Sequence, residues 1–144
     1  SQASNSARVL MLLLSLLIMI RTCELQGLWR NELGSNMTIS ALDASGTFSG
    51  SYQTAVAATN KQILVSPLQG AQQPPGNKGH QPTFGFTVQW QFAGMTVVFI
   101  PLCFMDRRGK EMLEMAWLLR EEVPTRKDSW KAIRVGTSVF TRVK

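Results

Sequence analysis

Two short polar side chains beside a tight turn are the groups in this sequence best suited to recognise a small ligand. Residues 27–39 predict a strand, a Gly-Ser turn and a second strand, and Asn31 and Ser35 flank the turn. Because side chains alternate along a strand, Trp29, Asn31 and Leu33 share one face. Polar groups next to apolar ones at the mouth of a sheet suit a ligand held by a few hydrogen bonds in an apolar cavity. An ordinary hairpin with no ligand remains the alternative for this stretch alone.

The sequence contains few residues in patterns typical of enzyme active sites. The single histidine, His80, lies in a Gly- and Pro-rich stretch, residues 70–82, that predicts a mobile loop. No Ser-His-Asp or Cys-His set is therefore expected, and the sequence shows no metal-ligand cluster or Gly-rich phosphate loop. We predict a binding protein, not an enzyme, with no cofactor and no metal.

The composition indicates one globular domain that is basic overall. The 144 residues are 44% hydrophobic and 17% charged, with a formal net charge of +6. A chain of this size and composition can bury a moderate core. The basic residues are dispersed, and the densest group, Arg107, Arg108 and Lys110, predicts a solvated turn. This dispersion argues against nucleic acid as the partner.

The first residues predict a targeting segment. Residues 9–20, preceded by Arg8, form an almost uninterrupted apolar run that is too short for a comfortable membrane span and suits a secretory signal peptide. We expect residues 1–22 to be a signal peptide that is removed before Cys23 or Glu24. The mature protein is then expected to be secreted, without membrane association. No Ala-x-Ala site follows the run, so an uncleaved signal anchor remains the alternative.

Alternation of apolar and polar residues predicts strands through the rest of the chain. They are expected at residues 47–56, 62–68, 83–92, 96–104 and 131–143, with a polar loop at 124–129. Residues 111–122 are good helix formers, so propensity alone favours a helix there. Pro101 removes a ladder donor and predicts a sheet edge or a bulge. About eight antiparallel strands joined by turns would close into a barrel with room for one small ligand.

Several motifs make the chain recognisable. The pattern Gly-x-Trp-x-Asn-x-Leu-Gly-Ser-x-Met begins at Gly27, and further motifs follow at residues 52–56, 81–92, 117–120 and 130–136. From residue 23 to the C-terminus the chain resembles the avidin family of secreted biotin-binding proteins. The resemblance implies an all-β fold, an eight-stranded antiparallel up-and-down barrel formed by residues 23–144 and assembled as a homotetramer. It also implies a strand at residues 111–122. The side chains expected on one face of that strand are Leu113, Met115, Trp117 and Leu119.

The resemblance gives a role to most polar and aromatic residues of these motifs. Asn31, Ser35 and Tyr52 would donate hydrogen bonds to the ureido oxygen of biotin, a charge-assisted arrangement. Thr54 would accept a hydrogen bond from one ureido N–H, and aromatic rings would wall the ring system. The residues expected to contact biotin are Asn31, Leu33, Ser35, Tyr52, Thr54, Val56, Ala58, Thr59, Trp90, Phe92, Val97, Phe99, Trp117, Leu119 and Ser138, with Trp130 reaching into the pocket of a neighbouring subunit.

Several positions depart from the family pattern, and each departure removes a polar contact. Ser138 stands where the family has an Asn or Asp that accepts the second ureido N–H. Val97 replaces a threonine that hydrogen-bonds the ring sulfur, while Thr96 points outward by parity. The hydroxyls that hold the biotin carboxylate correspond to Ala57, Ala93 and Met95. We expect the carboxylate to depend mainly on the backbone N–H groups of Ala58 and Thr59, with a lower affinity than the family's tightest members.

Covalent features and assembly complete these expectations. An even cysteine count in a secreted chain favours one disulfide, Cys23–Cys103, and the family carries a cysteine pair at the matching positions. Asn36 begins an Asn-x-Thr sequence, which is an N-glycosylation acceptor. A barrel in water exposes apolar side chains on its outer face only if subunits cover them. In the last strand these outward residues are Ile133, Val135 and Val139.

Two other functions stay open from the residues alone. A lipocalin-like secreted carrier of another apolar ligand would share the barrel and the secretion. It would not explain why polar residues of the right types occur together at Asn31, Ser35, Tyr52 and Thr54. A cationic surface-active protein without a small ligand is disfavoured because the charge is dispersed, and strong salt dependence of its activity would favour it.

Overall fold

The protein is described by a computed structural model that shows a closed antiparallel barrel preceded by one helix. The structure describes residues 2–19, 23–55, 65–74, 81–91 and 93–144, with helix side chains only as far as residue 13. Consecutive strands pair in order, and the last strand pairs with the first, so the predicted eight-stranded barrel is confirmed. The elements are α1 (Gln2–Met19), β1 (Gly27–Asn31), β2 (Asn36–Ile39), β3 (Thr47–Gln53), β4 (Val65–Gln72), β5 (Phe84–Gln89), β6 (Met95–Met105), β7 (Glu111–Glu121), a 3-10 helix (Arg126–Lys131) and β8 (Ile133–Arg142).

The N-terminal segment 23–26 packs against one end of the barrel, which we call the closed end. Trp29 is fully buried there and donates its indole N–H to the carbonyl oxygen of Leu25 at 2.8 Å. The disulfide between Cys23 and Cys103 joins this segment to β6, with Cα atoms 6.1 Å apart, as expected. The opposite end, which carries the β1–β2 turn and the start of β8, is the open end.

An ion pair also fastens the closed end. The Arg142 guanidinium binds both carboxylate oxygens of Glu111, at 3.0 and 2.8 Å, and lies over the Trp29 ring at 4.4 Å from its centroid. The same guanidinium donates to the carbonyl oxygens of Gln26, at 2.7 Å, and Glu24. Arg142 therefore links β7, β8 and the N-terminal segment, because one planar group supplies several donors at once.

Residues 111–121 form a strand, although their propensities favour a helix. Both edges of β7 are paired, with β6 along its whole length and with β8 from Met112 to Arg120. Side chains from Leu113 to Leu119 alternate between the core and the outside, as the resemblance implied. Tertiary pairing and burial thus outweigh intrinsic preference here.

The predicted boundaries need correction at five places. The fourth strand continues to Gln72, so residues 70–72 belong to β4 and not to the predicted loop. Gly70 is a glycine because the backbone of β5 comes close: a Cβ there would lie 2.4 Å from the Gly85 carbonyl oxygen. The predicted loop at 124–129 contains most of a 3-10 helix, and β8 starts at Ile133, two residues later than expected. β3 and β5 end earlier than predicted, at Gln53 and Gln89.

Pro101 was expected at a sheet edge or a bulge, but it lies in β6, which pairs with β5 on one side and with β7 on the other in a closed barrel. In the described ladders, β6 pairs with β5 only from Thr96 to Phe99, whereas its pairing with β7 continues to Met105. Pro101 lies two residues beyond that shared stretch and is opposite Met115 of β7, so it has no ladder partner in β5. The missing N–H of proline is tolerated where no ladder bond is required.

Apolar side chains cover the outer face of three adjacent strands, β6, β7 and β8. The ladders bring Val98, Leu118 and Val135 into one row across this face. The exposed apolar residues on it are Val98, Ile100, Leu102, Phe104, Leu118, Ile133, Val135 and Val139. The predicted outward stripe of the last strand is therefore part of a larger apolar face. The group at Arg107 to Lys110 is an exposed turn, as expected.

The N-terminal helix α1 carries the predicted apolar run. Its residues 2–13 are exposed, and among the described residues no helix is long and apolar enough to span a membrane. Residues 20–22, which directly precede the predicted cleavage point before Cys23 or Glu24, lie outside the described residues.

Candidate ligand-binding site

The turn between β1 and β2 fixes the orientation of the Asn31 side chain. Asn31 Oδ1 accepts the backbone N–H groups of Leu33, at 3.1 Å, and Ser35, at 2.8 Å. Gly34 adopts a φ of +85°, which favours glycine, and its N–H donates to the Asn31 carbonyl oxygen at 3.0 Å. Since the turn occupies Oδ1, the Nδ2 group is the half of the amide that remains to donate to a ligand.

Ser35 and Tyr52 form a hydroxyl pair next to Asn31. Ser35 is buried, its Oγ accepts the backbone N–H of Ala55 at 3.3 Å, and its hydroxyl is close enough to the Tyr52 phenol to lower the pKa of that group. Burial raises the pKa of Tyr52 above 10, and the Glu32 charge adds to this, while the nearby Ser35 hydroxyl opposes it. The phenol therefore keeps its proton at neutral pH and can act as a donor.

Aromatic rings hold Tyr52 on several sides. The ring of Tyr52 contacts Trp90 edge-on with centroids 5.1 Å apart, stacks on Phe99 at 5.9 Å, and meets Phe140 at 6.0 Å. Phe86 stacks on Phe99 at 4.9 Å. Phe86 and Phe140 were absent from the predicted site, although their alternation with outward residues in β5 and β8 could have indicated them.

Thr54 presents a polar atom with no partner in the described part of the chain. Its Oγ1 is buried although the residue as a whole is only half-buried. Buried hydroxyl groups are nearly always hydrogen-bonded, so a lone one needs an explanation. A ligand polar group is the simplest partner for a hydroxyl that follows directly after β3.

The indole of Trp117 packs closely on the backbone of β8, where its ladder partner is a glycine. Trp117 is paired with Gly136, and a Cβ at Gly136 would come within 2.2 Å of the indole ring. Both Trp117 and Leu119 are half-buried and pack on the core. Val97 is buried between Val88 and Leu119 in the ladders, and Thr96 points outward, as parity predicted.

Not every predicted contact residue joins this cluster. Leu33 does not share the face of Trp29 and Asn31, because β1 ends at Asn31 and Leu33 lies in the turn with 65% of its surface exposed. Ser138 is half-buried on β8, opposite Met115. Trp130 lies in the 3-10 helix, and 82% of its surface is exposed. Four predicted contacts, and one departure from the family pattern, lie outside the described residues: Val56, Ala58, Thr59 and Phe92, and Ala57.

One described group has the spacing of metal ligands, namely Cys23, Cys103 and Glu111. Its two sulfur atoms are joined in the disulfide, and the Glu111 carboxylate forms an ion pair with Arg142. These three residues therefore stabilise the closed end through the disulfide and the ion pair.

Comparison of the sequence with known proteins gives a consistent picture. The model of the Avidin family matches residues 19–143. Avidin of Gallus gallus is 51% identical over 146 residues, covering 98% of this chain and 95% of avidin. Avidin-related protein 7 of Gallus gallus is 49% identical over 144 residues, covering 96% of this chain and 94% of that protein.

Solved structures agree with the sequence comparison. A biotin binding protein from chicken, solved by X-ray methods, is 85% identical, with a TM-score of 0.79 over 86% of this chain and 99% of that one. Xenavidin is 43% identical, with a TM-score of 0.77 over 85% of this chain and 100% of that one. Fold, motif order and overall identity thus agree, and the chain belongs to the avidin family.

Proposed function

We propose that this protein binds biotin without covalent chemistry, in a secreted homotetramer, for carriage or sequestration of the vitamin. The observation that carries the proposal is the set of polar groups at the open end, where Asn31 Nδ2, Ser35 and Tyr52 can donate and Thr54 has no described partner. The names of two relatives, avidin and a chicken biotin binding protein, support the choice of ligand.

The three donors suit the ureido oxygen of biotin. Several N–H and O–H groups that converge on one urea oxygen draw negative charge onto it, and such hydrogen bonds are stronger than neutral ones. Thr54 then accepts one ureido N–H, which gives its lone hydroxyl a partner. Ser138 would accept the other ureido N–H. Its side chain is shorter than that of an Asn or Asp, so the hydrogen bond would be longer.

Apolar walls make each of these polar contacts count for more. Trp90, Phe99, Trp117 and Leu119 would enclose the fused rings of the ligand and exclude water. Val97 would pack against the ligand rings, but it has no hydroxyl group to hydrogen-bond the ring sulfur. Phe92 and Val56 are proposed to extend the walls, with Leu33 at the rim. Backbone N–H groups of Ala58 and Thr59 would bind the carboxylate.

The tetramer follows from the apolar outer face of β6, β7 and β8. A patch of exposed valine, leucine, isoleucine and phenylalanine on adjacent strands is unfavourable in water unless another subunit covers it. The exposed Trp130 ring is proposed to cover the biotin pocket of a neighbouring subunit. Ligand binding and assembly would then support each other.

Secretion is proposed from the apolar run of α1, with residues 1–22 removed as a signal peptide and residues 23–144 forming the mature barrel. The disulfide is consistent with an oxidising compartment. Asn36 is proposed to carry a glycan: it opens β2, and its Oδ1 accepts Arg30 Nε at 2.8 Å, leaving Nδ2 available.

The test is a titration of the mature protein with biotin, followed by tryptophan fluorescence, beside the double variant Asn31→Ala with Ser35→Ala. We expect tight saturable binding by the parent protein and a loss of at least about 100-fold in the double variant, since two donors to a charged oxygen are removed. Gln53→Ala, at an exposed outward position of β3 near the same end of the barrel, is the matched control. Binding that survives the double change would refute the ureido site and favour a generic apolar carrier.

A further inference from the structure

Two ion pairs join β7 to β8, one at each end of the barrel. At the closed end Arg142 lies 2.8 Å from Glu111, and the two side chains are 22% and 23% exposed. At the open end Arg134 lies 3.2 Å from Glu121, with side chains 66% and 30% exposed. The same strands thus carry the same kind of pair in two different environments.

The two arginines differ in how many partners they have. Arg142 makes bonds to Glu111 and to two backbone carbonyl groups, so its role at the closed end is structural. In the described part of the chain, the Arg134 guanidinium contacts Glu121 alone. A guanidinium has five N–H donors, so most of those on Arg134 remain available to another acceptor.

Arg134 stands on the ligand side of the open end. In β8 it shares the parity of Ser138 and Phe140, the residues that face the interior, and it is opposite Leu119 in the ladder. Glu121 belongs to the inward face of β7 and is opposite Met95. The Arg134–Glu121 pair therefore borders the position where the family pattern has a carboxylate-binding hydroxyl.

The charges around this rim disfavour an anionic ligand unless Arg134 takes part. An open depression of about 530 Å³ is lined by residues 93–95 and 121–124, which include two glutamates and no hydroxyl group. Two neighbouring cations have other partners: Arg120 donates to Ser129 at 2.9 Å, and Lys131 pairs with Asp128 at 3.0 Å.

We propose that Arg134 is the receptor for the ligand carboxylate in this protein and that Glu121 competes with the ligand for it. Ligand entry exchanges the Glu121 carboxylate for the ligand carboxylate on the same guanidinium. The site then prefers ligands with an anionic tail over those with a neutral tail, and the preference weakens as salt screens the exposed charges. This inference rests on the proposed biotin function and deepens it.

The experiment compares biotin with biotinamide, whose tail is neutral, on the parent protein and on Arg134→Gln and Glu121→Gln. We expect Arg134→Gln to weaken biotin about 3- to 10-fold, the size of effect that a partly exposed ion pair supports, and to leave biotinamide unchanged. Glu121→Gln should strengthen biotin binding by a similar factor, and this gain should vanish in the double variant. Arg120→Gln, an outward-facing arginine of the same rim, is the matched control.

Each outcome separates this inference from the biotin proposal. Equal losses for biotin and biotinamide in Arg134→Gln would assign a packing role to the side chain and overturn the inference. No change in either ligand would overturn it as well, and in both cases the biotin function would stand. If the folded parent protein bound neither ligand, both proposals would fall. Native mass measured for each variant ensures that the oligomers compared are the same.

Discussion

The Oδ1 atom of Asn31 accepts the backbone N–H of Ser35 at 2.8 Å, so the turn itself decides which half of this amide faces the ligand. This bond engages Oδ1, an acceptor that cannot hydrogen-bond a ureido oxygen. It leaves the Nδ2 donor beside the hydroxyl groups of Ser35 and Tyr52. Folding of the hairpin and orientation of the donor are therefore the same event.

Asn31→Asp separates the two roles of this side chain. An aspartate keeps the oxygen that the Leu33 and Ser35 N–H groups need, so we expect a normal barrel with little change in stability. It replaces the Nδ2 donor with a second oxygen, and we expect biotin affinity to fall by about 2 to 4 kcal/mol. Thermal unfolding and biotin titration of the same sample measure both. Equal biotin affinity in Asn31→Asp and the parent protein would contradict the donor role.

Gly136→Ala tests the contact between Trp117 and β8. The new methyl group would lie 2.2 Å from the indole, so the ring must move away from its position on the sheet. We expect a loss of about 1 to 3 kcal/mol in the free energy of unfolding and weaker biotin binding. Gly85→Ala is the control, because a Cβ there meets the Phe99 carbonyl oxygen at 3.4 Å. A shift in tryptophan emission confined to Gly136→Ala would support the account, and unchanged emission would oppose it.

The raised pKa of Tyr52 predicts how stability depends on alkaline pH. The folded state binds the phenol proton more tightly than the unfolded state does, so the contribution is complete below about pH 10. Above that value the unfolded chain releases its proton first, and stability should fall. Denaturant unfolding across this range should show a steeper fall in the parent protein than in Tyr52→Phe. Biotin affinity should fall at a higher pH than stability does, above the raised pKa of the folded protein, since tyrosinate cannot donate.

How far sequence predicts such a protein depends on whether a feature is local. The turn at Asn31 was predictable because glycine, alternation and polar flanks all lie within a few residues. Residues 111–121 were not, since their propensities favour a helix and only the family resemblance indicated a strand. Gly70 predicted a loop but serves the close approach of two strands. The pair of Glu121 with Arg134 depends on the register of β7 against β8, which composition does not reveal.

Reduction should weaken the closed end without opening it. The disulfide joins residues 80 positions apart, and restricting the unfolded chain over such a loop is worth about 4 kcal/mol. We expect Cys23→Ser with Cys103→Ser to lose stability of that order and to keep the segment 23–26 in place, because Arg142 and Trp29 still bind it. Amide hydrogen exchange at residues 25–27 measures this. Full exchange in the double variant would mean that the disulfide alone holds the segment.

A charge on the outer apolar face should dissociate the assembly. Val135 lies in a row with Leu118 and Val98, so Val135→Glu would bury a carboxylate in the proposed subunit contact. We expect smaller oligomers by native mass and a folded barrel by circular dichroism. Gln53→Glu on the polar outer face of β3 is the control. An unchanged mass for Val135→Glu would show that subunits meet elsewhere.

Native mass spectrometry of the mature protein with biotin tests the central claim most directly, because it counts ligands and subunits in one spectrum. The account predicts a tetramer that takes up one biotin per chain and loses this capacity in Asn31→Ala with Ser35→Ala. A folded tetramer that binds no biotin, or one that binds it equally well after both substitutions, would contradict the assignment of the site.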